Sequence, residues 1–148
     1  MALSKDEINF YNDQGYLLVE DVISENQHKE MLALVDGFFE KSKMIRENDN
    51  IFDLEDGHSS DYPRLKRIKQ PHQHSQFFWD IIKESKIEEI LRDLLGDNVS
   101  LKTSKLNTKA PGGGAAVEWH QDWAFYPHTN DNVLACLLYT SDAADDWC

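Results

Sequence analysis

"AVEWHQDWAFYP", residues Ala116–Pro127, sets one imidazole and one carboxylate a single residue apart between two tryptophans. In an extended chain alternate side chains share a face, so His120 and Asp122 point one way while Trp119, Gln121 and Trp123 point the other. An imidazole and a carboxylate on one side can take neighbouring positions on a single cation. The donor types suit Fe(II), because two histidines and one carboxylate on one face of an octahedron leave three positions open. As a bare pattern His-x-Asp is short enough to recur by chance, and an aromatic strand carrying two polar residues is the simpler account of it. The surrounding sequence therefore has to decide.

Immediately before the motif, "APGGGAAV" (Ala110–Val117) reads as a flexible loop, without the spacing, Lys or helix start of a phosphate cradle. Before that, "NVSLKTSKLNTK" (Asn98–Lys109) reads as a strand with Val99, Leu101, Thr103, Lys105 and Asn107 on one face. "PHQHSQFFWDIIKESKIEEILRDLLG" (Pro71–Gly96) spaces its apolar residues as two amphipathic helical segments ending at Gly96. His72 and His74 are read as exposed residues ahead of the first of these, not as ligands. "RLKRIKQ" (Arg64–Gln70) fits a short strand beside a cleft, with Leu65, Arg67 and Lys69 on one side. The acidic, turn-rich run from Glu47 to Pro63 reads as a surface loop in which His58 is solvated.

Nearer the N-terminus, Ser4 with Glu7 and Ser24 with Gln27 have capping-box spacing. The first predicts a helix from Lys5 to Gln14 closed by Gly15. The second opens a longer helix that buries Met31, Leu32, Leu34, Val35, Phe38 and Phe39. Between them Tyr16–Val19 reads as a short strand.

Composition narrows the class. At 148 residues and 41% hydrophobic content the chain suits one globular domain with a buried core. A formal charge of −12 with Lys and Arg scattered along the chain argues against nucleic acid as a partner. No apolar run approaches the roughly 20 residues that span a bilayer, and the acidic start is unlike a secretory signal. A soluble, cytoplasmic protein without a membrane partner is expected. Both cysteines, Cys136 and Cys148, fall near the C-terminus, which excludes a disulfide framework and fits a reducing compartment.

Two separated stretches carry a resemblance. "SKLNTKAPGGGAAVEWHQDWAFYPHTNDN" (Ser104–Asn132) resembles the phytanoyl-CoA dioxygenase family of Fe(II)- and 2-oxoglutarate-dependent oxygenases, in which an Asn-x-Lys strand, a Gly/Pro loop and a His-Gln-Asp segment follow in that order. "FYNDQGYLLVEDVIS" (Phe10–Ser24) is similar to the N-terminus of the same family. The resemblance implies an α+β fold, the N-terminal part of a double-stranded β-helix (a cupin-like jelly roll) with flanking helices. It implies that His120 and Asp122 are iron ligands, that Asn107 contacts 2-oxoglutarate, and that Arg67 lies near this cosubstrate. His128 stays a loop residue, Trp119 and Trp123 become core or pocket-wall residues, and Tyr126 and Pro127 pack the strand and turn. The third ligand, a histidine, and the arginine holding the far carboxylate of 2-oxoglutarate come from a later strand of the family and have no counterpart here. The implied activity is hydroxylation of an unactivated C–H bond of a small molecule or acyl derivative with molecular oxygen. The substrate and the oligomeric state are left open. A jelly-roll binding protein without catalysis, or a fragment without function, are the rival readings; retention of both His120 and Asp122 disfavours the first.

The ending has another origin. Cys136–Asp145, "CLLYTSDAAD", reads as the translation of a transposon adaptor used in sequencing libraries, so residues 136–148 are expected to be non-native and residues 1–135 the N-terminal part of the domain. Setting the tail aside removes Asp142, Asp145 and Asp146 and leaves the chain acidic.

Overall fold

A computed structural model describes residues 2–109, 116, 118–126, 128–130 and 132–139. It separates into two units, Met1–Gly114 and Ala115–Cys148. The first is a mixed α/β arrangement built on a small antiparallel sheet. The expected loop at Ala110–Val117, apart from Ala116, and most of the adaptor-like tail lie outside the described residues.

Local chemistry sets the two long N-terminal helices. Helix α1 (Lys5–Gln14) starts where Glu7 N–H donates to Ser4 Oγ and Ser4 N–H donates to Glu7 Oε2, so two otherwise orphaned donors are satisfied reciprocally. It ends at Gly15, whose φ of 79° is left-handed and open to glycine at no steric cost. Helix α2 (Glu25–Ser42) repeats the box with Ser24 and Gln27. The expected strand at Tyr16–Val19 does not form. No strand pairs with it among the described residues, Tyr16 and Leu18 are exposed, and the Tyr16 ring packs edge-on against Phe10 of α1 instead.

The sheet consists of β1 (Phe52–Leu54), β2 (Leu65–Lys69) and β3 (Lys105–Asn107), in that order and all antiparallel. Strand β1 corrects the reading of Glu47–Pro63 as loop throughout: Phe52 is buried, and the run Phe52–Asp53–Leu54 is one short alternation inside acidic sequence. Strand β3 is shorter than the expected Val99–Asn107, because among the described residues only Lys105–Asn107 finds a partner, in β2. Register jumps between β1 and β2: Asp53 faces Arg67 but Leu54 faces Leu65, leaving Lys66 as the extra residue of a bulge. The bulge shifts the alternation, so Leu65 and Ile68, three apart, both enter the core at 1% and 0% exposure. That is why simple period-2 reading of "LKRIK" put them on opposite sides.

Phe52, Ile68 and Leu106 are cross-strand neighbours on one face, which packs with Leu65 against Phe38 of α2 and Phe78 of α4 (Gln76–Lys83). Helix α5 (Lys86–Leu95) follows and ends at Gly96, and its Asp93 carboxylate accepts from the backbone N–H groups of Ala2 and Leu3. Leu3, Ile81, Ile87 and Ile90 are buried as well. No described helix is long and apolar enough to cross a membrane.

Two histidines are more deeply engaged than their polar surroundings suggest. His58 is not simply solvated: its Nδ1 accepts from Arg64 N–H at 2.9 Å and its Nε2 donates to the Ser42 carbonyl at 3.1 Å, tying the loop to the end of α2. His72, in the short helix α3 (Pro71–His74), is half-buried, with Nδ1 2.6 Å from Ser104 Oγ and its ring against Trp79. Burial, helped by the neighbouring His74 charge, pushes the His72 pKa down. A histidine depressed in the folded state takes up its proton more readily when unfolded, so it favours folding above its ordinary pKa of about 6.5 and loses that contribution as pH falls. Acidification from about pH 7 to about pH 5 should therefore lower the urea midpoint more for the wild type than for His72→Gln. Identical midpoint shifts in the two proteins would contradict this.

Candidate metal and cosubstrate site

The four residues singled out by sequence fall in two groups. Arg67 and Asn107 belong to the unit Met1–Gly114, His120 and Asp122 to Ala115–Cys148.

In the second unit Gln121 is extended at φ −103° and ψ 126°, after which Asp122–Ala124 forms one 3-10 turn. The expected strand through the motif is thus only partly extended. Extension at Gln121 suffices to put its neighbours on the same side, and His120 Nε2 lies 3.2 Å from Asp122 Oδ1. His120 Nδ1 donates to the Glu118 carbonyl at 2.7 Å, which fixes the ring and leaves Nε2 facing the carboxylate. In the neutral ring that nitrogen carries a lone pair, and two lone pairs this close repel unless a cation sits with them. A proton on Nε2 would serve, as would a metal ion bound by both atoms. Metal–donor bonds of about 2.1 Å at right angles put two donors ~3.0 Å apart, so this spacing suits neighbouring positions on one ion.

The donor pair is well exposed, as is the sequence around it. Trp119 and Trp123 are not core residues: at 103% and 47% exposure neither is packed away. The His120 ring instead meets Phe125 edge-on at 5.4 Å. His128 pairs through Nδ1 with the carbonyl of Tyr126 and lies beside Trp123, while Pro127 is outside the described residues. Among the described residues no three His, Cys, Asp or Glu side chains converge on one point.

In the first unit the sheet brings the other two residues together. Arg67 on β2 is the register partner of Asn107 on β3 and of Asp53 on β1, so the three share the face opposite Phe52, Ile68 and Leu106. Lys69 and Lys105, also register partners, lie on that polar face two residues along. Lys69 Nζ is 3.0 Å from Asp53 Oδ1; Arg67 Nη1 is 3.8 Å from Asp53 Oδ2, too far for a hydrogen bond. Arg67 Nε is buried and meets no hydrogen-bond partner among the described residues. Buried donors are nearly always satisfied, so this guanidinium has capacity for an acceptor such as a carboxylate. Asp53 is hidden from a sequence reading because the acidic, turn-rich run around it has the composition of a loop. The Phe-Asp-Leu alternation was the available signal. A shallow depression elsewhere, lined by Arg46, Glu47, Glu55 and His58, contains none of the four residues.

The family profile described as phytanoyl-CoA dioxygenase (PhyH) matches residues 11–146, and the chain belongs to that family. A "Probable alpha-ketoglutarate-dependent hypophosphite dioxygenase" of Stutzerimonas stutzeri is 32% identical over 135 residues, 91% of this chain and 47% of the relative. An ectoine dioxygenase of Bordetella bronchiseptica is 25% identical over 146 residues, 95% of this chain and 45% of the relative. The chain therefore spans about half the length of the curated relatives it matches. No solved structure matches it significantly.

Proposed function

We propose that the full-length protein is an Fe(II)- and 2-oxoglutarate-dependent oxygenase that hydroxylates a small molecule or acyl derivative in the cytoplasm, on a jelly roll to which the sheet β1–β2–β3 contributes. The observation that carries this reading is the His120–Asp122 pair, 3.2 Å apart with the imidazole anchored through Nδ1. Family membership and a relative named as alpha-ketoglutarate-dependent support it. His120 Nε2 and an Asp122 oxygen would hold the iron. When bound, the iron supplies the oxygen chemistry that couples decarboxylation of 2-oxoglutarate to succinate with C–H hydroxylation. Asn107 and Arg67 would present an amide and a guanidinium to a carboxylate of 2-oxoglutarate, the latter a planar donor matched to that group.

Two donors hold an iron ion on one edge only, so the 148-residue chain by itself is expected to be without turnover. The test is succinate release by a protein extended to the length of its relatives, with Fe(II) and 2-oxoglutarate each omitted in turn. Release that requires both supports the oxygenase; an intact, folded protein with no such release points to a binding role.

A further inference from the structure

We infer that Lys69 is a positioning residue that keeps Arg67 available to an acidic ligand by holding the Asp53 carboxylate away from it. The inference rests on the reading that Arg67 meets 2-oxoglutarate. Asp53 is reached by two cations on the same face of the sheet, and they are not equivalent. Lys69 Nζ sits at hydrogen-bond distance from Oδ1, whereas Arg67 Nη1 stands off at 3.8 Å from Oδ2. Lys69 is itself anchored, since Nζ also donates to the backbone carbonyl of Asp49 in the segment leading into β1.

Register alone favours a different pairing. Asp53 lies directly opposite Arg67, the position from which a carboxylate would close on the guanidinium through two parallel hydrogen bonds. Such a fork would leave Arg67 little capacity for a ligand. In the structure that fork is not made, Arg67 Nε is without a partner among the described residues, and the carboxylate leans to the ammonium two residues along. Lys69 thus offsets the natural partner of Arg67. Arg67 Nε and Nη1 are left to a second carboxylate, with Asn107 beside them in register.

Removing Lys69 should let Asp53 close on Arg67. The experiment measures 2-oxoglutarate binding to the iron-loaded, full-length protein by calorimetry without oxygen, so that no turnover intervenes. Arg67→Met and Lys69→Met should each weaken binding about tenfold, the scale of one charge-assisted hydrogen bond. Asp53→Asn removes the competing negative charge and the second oxygen of the fork, and should bind at least as tightly as wild type. The double variant Lys69→Met/Asp53→Asn should return to within about threefold of wild type, a rescue that a purely structural lysine would not allow. If Lys69→Met does not fold, Lys69→Gln carries the same expectation. Weakening by Arg67→Met with none from Lys69→Met, or no rescue in the double variant, overturns the role of Lys69 and spares that of Arg67. Unchanged binding in Arg67→Met overturns both.

Discussion

Replacing His120 with Ala in the full-length protein is expected to lower Fe(II)-dependent succinate release by about a hundredfold or more while leaving the unfolding curve in place. Losing even a residue that only orients a ligand costs about 10–100-fold, and loss of the ligand itself should exceed that. Stability should hardly move, because His120 is exposed and its contacts among the described residues, with Glu118, Asp122 and Phe125, are all local. Asp122→Asn should fail similarly: the amide can still approach a metal but brings no negative charge to offset its two positive ones. The ring anchor adds a finer check. The Glu118 contact is made by a backbone carbonyl, so Glu118→Gln should preserve it and keep most of the activity. If His120→Ala retained a tenth of wild-type release, the metal-ligand assignment would be wrong. The same loss accompanied by a large drop in stability would mark the residue as structural.

What could be read ahead of the structure was the chemistry that acts within a few residues. Ser4 with Glu7, Ser24 with Gln27, and the glycines at 15 and 96 place helix ends because each cap is satisfied by backbone three or four residues away. What could not be read depended on distant partners. Tyr16–Val19 has strand-like residues but no strand pairs with it among the described residues, whereas Phe52–Leu54 sits in acidic sequence and becomes a strand because β2 pairs with it. The bulge at Lys66 is another non-local event, and it alone puts Leu65 and Ile68 in one core. At the candidate site the shared side of His120 and Asp122 needed only extension at Gln121. The pairing of Arg67 with Asn107, forty residues on, needed a sheet register that no local pattern encodes.

Strand β2 carries opposite demands on its two faces, and this leads to the largest stability change expected in the molecule. Ile68→Ala should cost about 3 kcal/mol, within the range for removing a fully buried aliphatic side chain and leaving a cavity. Ile68 is wholly inaccessible, paired in register with Phe52 and Leu106, and part of the cluster that includes Phe38 and Phe78. Collapse around it is limited because two rings and two strands would have to move together. Against a total stability of about 5–15 kcal/mol for a small domain, such a loss leaves a visible unfolded fraction on warming. The adjacent substitution Arg67→Met, on the polar face, should change stability by less than about 1 kcal/mol, since among the described residues Arg67 makes a long ion contact with Asp53 and leaves a buried nitrogen unpaired. Ile68→Val separates cavity formation from loss of strand pairing and should cost only about 1 kcal/mol. Urea unfolding of the three variants decides the matter: if Arg67→Met destabilises as much as Ile68→Ala, the polar face holds the fold together and is not kept free for a ligand.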